Sequence, residues 1–467
     1  MPCPEDKKET LLSFGAALLM DMGTMKTKVV IDTAEILHAV GLVHKVLVVT
    51  ILNIVDGWGG DGGQLDKHSS QSIWSSAIGS KKERLRAIED IDTYSENNPG
   101  TLCWVLINAE GLDSVLPELL RSKFNMVVVD ESTIIKTRTA GRTKTMVEYF
   151  KKAPFKIIMT GNPIPKGADE AFSQYHFVDE GVFGAKYYPH VERYFDVDYF
   201  GKVLSVKDPE GFDEELYSIA YRVKKSDCLS LPPKVYQTVY VTMTPEQSKS
   251  YQAMYEDAVS SYDDFSCAAP MVITKFLRCS QIAGGFFPGI KQSEEGSVGE
   301  MDARPILPNP KLEALVEVVG RLREQKEKIV IWARFRKEIE SIQERMLKEG
   351  HRSVVYYGGV NYKTKVEAKQ KFNNGGADIF IGNAQSAGKG LNELAGSSYS
   401  LYYSNDYSAE CRQQSEDRTT RPGMDESVSC TYIDFVCRGS IDEECLAVLR
   451  SDKDFAEIIL SRCNKRK

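Results

Sequence analysis

Met126-Val127-Val128-Val129-Asp130-Glu131-Ser132-Thr133 is a short, unbroken apolar run that ends in two adjacent carboxylates. A strand with one face in water alternates apolar and polar residues, whereas an unbroken run belongs to a parallel sheet covered by helices on both faces. Runs of the same kind occur at residues 16–20, 46–50, 104–107 and 156–159, separated by helix-like stretches. A second series follows at 329–332, 354–357, 379–381, 400–403 and 431–436. Two α/β sheets, and hence two lobes in tandem, are expected.

Between the two series, residues 181–305 read as mostly helical, with polar stretches such as 245–255 and little strand signal. Residues 291–310, rich in Gly, Ser, Glu and Pro, read as a loop or hinge leading into the second lobe. The Gly- and Ser-rich stretch 56–80 reads as an exposed loop, and the basic residues 462–467 as a frayed end. The expected division is a first lobe at 1–180, an inter-lobe region at 181–305 and a second lobe at 306–467.

Composition excludes several classes. With 467 residues the chain exceeds one ordinary core, and 42% hydrophobic with 27% charged residues is the balance of a soluble globular protein. It contains no apolar run of about 18 residues and begins without a basic-then-apolar leader, so no membrane partner is expected. The expected location is the cytoplasm of a bacterial or virus-infected cell, or the nucleus of a eukaryote. Ten cysteines without a C-x-x-C pair argue against a zinc ribbon and for reduced thiols. A net charge of −7 leaves the partner open, because a nucleic-acid ligand needs only a local basic groove.

The first apolar run ends in Met20-Asp21-Met22-Gly23-Thr24-Met25-Lys26-Thr27, followed by helical sequence. This is the layout of a phosphate-binding loop, in which backbone N–H groups and a helix N-terminus face an anion. Gly23, Thr24, Met25, Lys26 and Thr27 would line it, with Lys26 on the β- and γ-phosphates and the Thr27 hydroxyl on Mg²⁺. By itself the loop also fits an ordinary strand-to-helix turn. The acidic pair about 100 residues later supports the first reading: Asp130 would hold the metal and Glu131 would orient or deprotonate the attacking water.

Further motifs follow in order: Thr160-Gly161-Asn162-Pro163; Tyr221-Arg222-Val223-Lys224-Lys225 through Pro232-Pro233-Lys234; Gly358-Gly359; Ala387-Gly388-Lys389-Gly390-Leu391-Asn392; and Gln414-Ser415-Glu416-Asp417-Arg418-Thr419-Thr420-Arg421. From about residue 16 to 440 this series resembles the Swi/Snf family of DNA translocases in helicase superfamily 2, in a compact form similar to bacterial or viral members. The resemblance implies two RecA-like parallel-sheet lobes that grip ATP and Mg²⁺, joined by a mostly helical region. It implies arginine fingers at Arg418 and Arg421, three apart on one helix face, and nucleotide contacts at Gly390 and Gln414. It also implies sequence-nonspecific contacts to duplex DNA from Thr50, Asn108, Lys136 and Ala387, and from Lys363 and Lys365 in a lobe-2 loop. The implied activity is DNA-dependent ATP hydrolysis coupled to movement on duplex DNA. The alternatives are a strand-separating helicase and a weakly or non-hydrolysing DNA-binding descendant of such a motor. Four departures from the family pattern stand out. Met25 replaces the glycine before the lysine, Ile51 replaces a proline, Met424 stands where glutamine is frequent, and the adenine-reading glutamine upstream of the loop is missing.

Overall fold

The computed structural model describes residues 14–450 except 61, 70–71, 165–166, 200, 202, 229–231, 258, 263–264, 269–271, 292–300, 389–393, 395 and 421–427. The chain divides into two compact units, Met1–Leu229 and Ser230–Lys467. The strands of the first are β1 (Phe14–Met20), β2 (Lys45–Thr50), β3 (Ser72–Ala77), β4 (Leu102–Asn108), β5 (Met126–Asp130), β6 (Phe155–Thr160), β7 (Phe195–Val197), β8 (Val203–Val206) and β9 (Ala220–Val223). Seven of them form one sheet in the order β3-β4-β2-β5-β6-β1-β9, with every neighbouring pair parallel. The antiparallel ribbon of β7 and β8 stands apart.

Burial on both faces explains the apolar runs. Val127 and Val129 belong to the core on one side of the sheet, while Met126 and Val128 belong to the core on the other. Because the strands are parallel, their C-terminal ends share one edge. Asp130 is level with Met159, and Leu19 with Thr160, which brings the loops after β1, β5 and β6 together. In open α/β sheets that carboxyl edge is where ligands bind.

The second unit contains β10 (Lys234–Val241), β11 (Val259–Tyr262), β12 (Phe265–Ala268), β13 (Phe286–Lys291), β14 (Met301–Pro305), β15 (Lys328–Trp332), β16 (Ser353–Tyr356), β17 (Ile379–Gly382), β18 (Ser397–Tyr402) and β19 (Cys430–Cys437). A parallel sheet runs β10-β19-β18-β15-β17-β16, and β11 to β14 form a separate antiparallel sheet. Both units are thus parallel α/β sheets of RecA-like type. No described helix is long and apolar enough to cross a membrane.

Three local expectations need correction. Residues 56–80 are not an exposed loop: helices Leu52–Gly59 and Gln64–His68 and strand β3 occupy most of it, and Trp58 is buried. The glycines concealed a short amphipathic pattern in which Leu52, Val55 and Trp58 recur every third residue. The region 181–305 contains strands β7 to β14 as well as its helices. They are short, and β8 to β10 are largely half-exposed, so they lack the unbroken apolar signal. Within the expected hinge, Met301–Pro305 is a strand paired with β13.

Candidate active site

The loop after β1, Asp21–Met25, is built by two left-handed residues. Gly23 has φ 82°, and Met25, which caps helix Lys26–Ala39, has φ 67° and ψ 26°. Glycine adopts this region freely, whereas a residue with a Cβ loses about 1–2 kcal/mol there. Methionine therefore occupies the conformation that glycine would fill without strain, with its side chain exposed. The Thr24 hydroxyl donates to the Asp21 carbonyl at 2.7 Å and closes the turn. Lys26 Nζ donates to the carbonyls of Met20 (2.6 Å) and Asp21 (3.0 Å), folding the ammonium back over the loop. Thr27 follows on the first turn of the helix, half-buried.

Asp130 ends β5, one strand removed from β1 across β6. Its carboxylate is buried, and Oδ2 accepts the indole N–H of Trp58 at 2.8 Å. Burial pushes this carboxyl above its usual range, while the Trp58 N–H and the Lys26 charge pull against that rise. The loop lysine and the strand-end aspartate thus share one electrostatic neighbourhood. Glu131, the next residue, also has a left-handed backbone, with φ 59° and ψ 61°, and its Oε1 accepts from the Thr133 hydroxyl at 3.1 Å. Strained backbone at such a position is the kind that persists where the surrounding structure fixes it. Behind the acidic pair, Ser132 donates to Gln174 Oε1 (2.6 Å), and Gln174 Nε2 donates to the Pro163 carbonyl (2.6 Å). The segment after β5 is thereby tied to the Thr160–Pro163 turn.

Other expected residues are less available. Thr50 is wholly buried at the end of β2, so its side chain does not reach the surface. Asn108, level with it on β4, accepts from Arg84 (2.7 Å) and donates to Glu110 (3.0 Å). Lys136 is paired with Glu170 at 2.8 Å.

In the second unit, Lys363 and Lys365 do not lie in a loop. They sit in the first turn of helix Tyr362–Asn373, capped by Asn361, whose side chain accepts from the Thr364 N–H. Helix Ala384–Gly388 includes Ala387, while Gly390 and Arg421 lie outside the described residues. Gln414, on helix Ala409–Glu416, donates to Glu410 at 2.9 Å. Arg418 is buried and lies beyond that helix, in the turn that follows Asp417. The expected shared helix face for Arg418 and Arg421 is therefore replaced by a helix end. Two β-branched threonines and the approaching Pro422 disfavour helix there, and the Thr419 hydroxyl bonds back to the Glu416 carbonyl.

The helix before Arg418 is held by a buried ionic network. Arg412 donates to Glu416 (2.8 Å), to Asp434 on β19 (2.5 Å) and to Asn405 (2.9 Å), and stacks on Tyr402. Glu416 also accepts from Lys234 (2.9 Å) and Tyr236 (2.8 Å) on β10. Although burial works against its charge, Lys234 and Arg412 hold Glu416 below the usual carboxylate range.

Residues 12–281 match the SNF2-related domain, more than half of the chain. The chain belongs to the SNF2-related family. Residues 310–423 match the helicase conserved C-terminal domain, the second half of such a core. Among curated relatives, Protein CHROMATIN REMODELING 5 of Arabidopsis thaliana is 24% identical over 74% of this chain and 20% of its own length. The DNA annealing helicase and endonuclease ZRANB3 of Mus musculus is 25% identical over 76% of this chain and 31% of its own. The SNF2-related chain thus spans well under half the length of these relatives. The Sulfolobus solfataricus SWI2/SNF2 ATPase core in complex with dsDNA is 20% identical, with 95% of this chain and 88% of that one covered at a TM-score of 0.42.

The geometry at Met25 leads to a testable consequence. Met25→Gly relieves left-handed strain of about 1–2 kcal/mol, of which the part that opposes closure on phosphate, about 0.5–1 kcal/mol, is recovered on nucleotide binding, whereas the roughly 0.4–1 kcal/mol by which glycine favours the unfolded chain acts on folding stability alone. We expect kcat/KM for ATP to rise about two- to five-fold in steady-state assays at saturating duplex DNA. An equal or lower value would show that the loop has adapted to methionine.

Proposed function

We propose that this SNF2-related chain is a DNA-dependent ATPase that uses Mg-ATP to move on or remodel duplex DNA, held by its phosphates without sequence readout. The observation that carries this reading is the register that brings the loop after β1, which leads into Lys26, to the same carboxyl edge as Asp130 at the end of β5, with Glu131 the next residue. The donor set fits a magnesium-bound triphosphate: a buried carboxylate, a hydroxyl at Thr27, and a helix N-terminus with a lysine for the phosphates. Magnesium, when bound, would neutralise phosphate charge. Lys26 exchanges the carbonyls of Met20 and Asp21 for phosphate oxygens. Glu131 orients the attacking water and accepts its proton. Arg418 and Arg421 supply positive charge to the transferring phosphoryl group, and Gly390 and Gln414 line the nucleotide, as in the family pattern.

For DNA, the first-turn lysines of helix Tyr362–Asn373 are the best-supported contacts. Cations at a helix N-terminus oppose the helix dipole, and a backbone phosphate placed there reverses that penalty. Thr50 and Asn108 contribute through the loops that follow them, and Lys136 only by exchanging Glu170 for phosphate.

The test is ATP hydrolysis with no DNA, single-stranded DNA and duplex DNA in parallel. Duplex should stimulate turnover severalfold, and its apparent affinity should fall steeply between 50 and 200 mM salt, about 10³-fold or more if six or more phosphates are engaged. Equal rates in all three arms, or a salt-independent isotherm, would refute the motor reading.

A further inference from the structure

We infer that Trp58 is a positioning residue for the metal-binding carboxylate: its indole N–H fixes Asp130 so that the carboxylate is already aimed when magnesium and the nucleotide arrive. The inference rests on the reading of Asp130 as a metal ligand.

Trp58 is 72 positions from Asp130 in sequence, yet its Nε1 lies 2.8 Å from Oδ2, with both side chains buried. Its ring leans on Trp104 of β4, with centroids 6.1 Å apart. The next residue makes this approach possible. A Cβ at Gly59 would lie 2.5 Å from Leu106 and 2.7 Å from the Trp74 ring, so only glycine lets the end of helix Leu52–Gly59 lie this close to the sheet. A buried indole N–H normally finds an acceptor, but this fold does not enforce it everywhere. The Nε1 atoms of Trp104 and Trp332 have no hydrogen-bond partner. The Trp58 bond is therefore a specific arrangement, and the acceptor it selects is the carboxylate at the strand end. A ligand carboxylate held by a fixed donor loses little torsional freedom on meeting a cation, and removal of such a supporting partner typically weakens metal binding about 10- to 100-fold.

The test uses Trp58→Phe, which keeps the ring against Trp104 and deletes the donor. The Mg²⁺ concentration for half-maximal binding of a fluorescent ATP analogue, and for ATPase activity, should rise about 10-fold or more. Turnover at saturating Mg²⁺ and analogue affinity in EDTA should stay within about three-fold of the parent. A lowered melting temperature and turnover with an unmoved Mg²⁺ requirement would mean that Trp58 merely fills space, and would overturn the inference. Asp130→Asn runs in parallel: if it too leaves the Mg²⁺ requirement unmoved, the reading of the metal site fails first. Should Trp58→Phe not fold, the parental protein labelled with 5-fluorotryptophan decides. Its four tryptophan resonances are assigned by replacing each of the other three with phenylalanine. Mn²⁺-ADP should broaden the Trp58 signal most; an unaffected Trp58 signal would overturn the inference.

Discussion

Replacing Glu131 with glutamine lowers ATP turnover by about 10²-fold or more and leaves binding of Mg-ATP near the parental value. The reasoning is one of charge and geometry. Glutamine keeps the length and volume of the side chain and can still accept from the Thr133 hydroxyl, so the turn after β5 is preserved. It cannot take a proton from water. Asp130 and its Trp58 bond are untouched, so the metal keeps its ligand. Turnover and equilibrium nucleotide binding, measured on the same preparation, separate the two effects. Parental turnover would move the base elsewhere, and a parallel loss of binding would mean that Glu131 serves the metal.

Lys26→Ala has the opposite signature, weakening nucleotide binding itself by about 10- to 100-fold, as expected when hydrogen bonds from a charged donor worth ~1.5–3 kcal/mol are lost. The ammonium that contacts the Met20 and Asp21 carbonyls also lies near Asp130, and its removal leaves the buried carboxylate with one fewer opposing charge. Titration with a fluorescent ATP analogue in Mg²⁺ reads the effect. Undiminished affinity would show that Lys26 remains with the loop carbonyls when nucleotide binds.

What the sequence disclosed follows burial. β2, β4 and β5 are enclosed on both faces and announce themselves as unbroken apolar runs. β3, at the sheet edge with the half-buried sequence Ser-Ile-Trp-Ser-Ser-Ala, sends a mixed signal and passed for loop. β10, also at a sheet edge, is buried only at Val241 and so lacks an unbroken apolar run. Lys26, Asp130 and Glu131 were legible as candidates because phosphate and metal chemistry favours those residue types at and just after strand ends. Trp58 was not, since an indole donor to a carboxylate 72 positions away has no local signature. The helix end before Arg418 was missed because Gln414 to Asp417 continue a helical pattern, and the threonines that stop it act through a side-chain bond.

The register of the two edge strands has a consequence for how the chain is made. β9 closes the first sheet against β1, pairing Ala220 with Ala17 across about 200 residues. β10 begins just beyond it, but its partner β19 lies nearly as far again downstream, with Lys234 opposite Cys430. Parallel pairing over such separations is slow, because loop-closure entropy is lost before any contact compensates for it. During synthesis the first lobe can therefore finish while β10 waits without its partner strand β19. A nascent chain stopped anywhere between β10 and β19 carries a complete first sheet and a β10 that still lacks its partner strand.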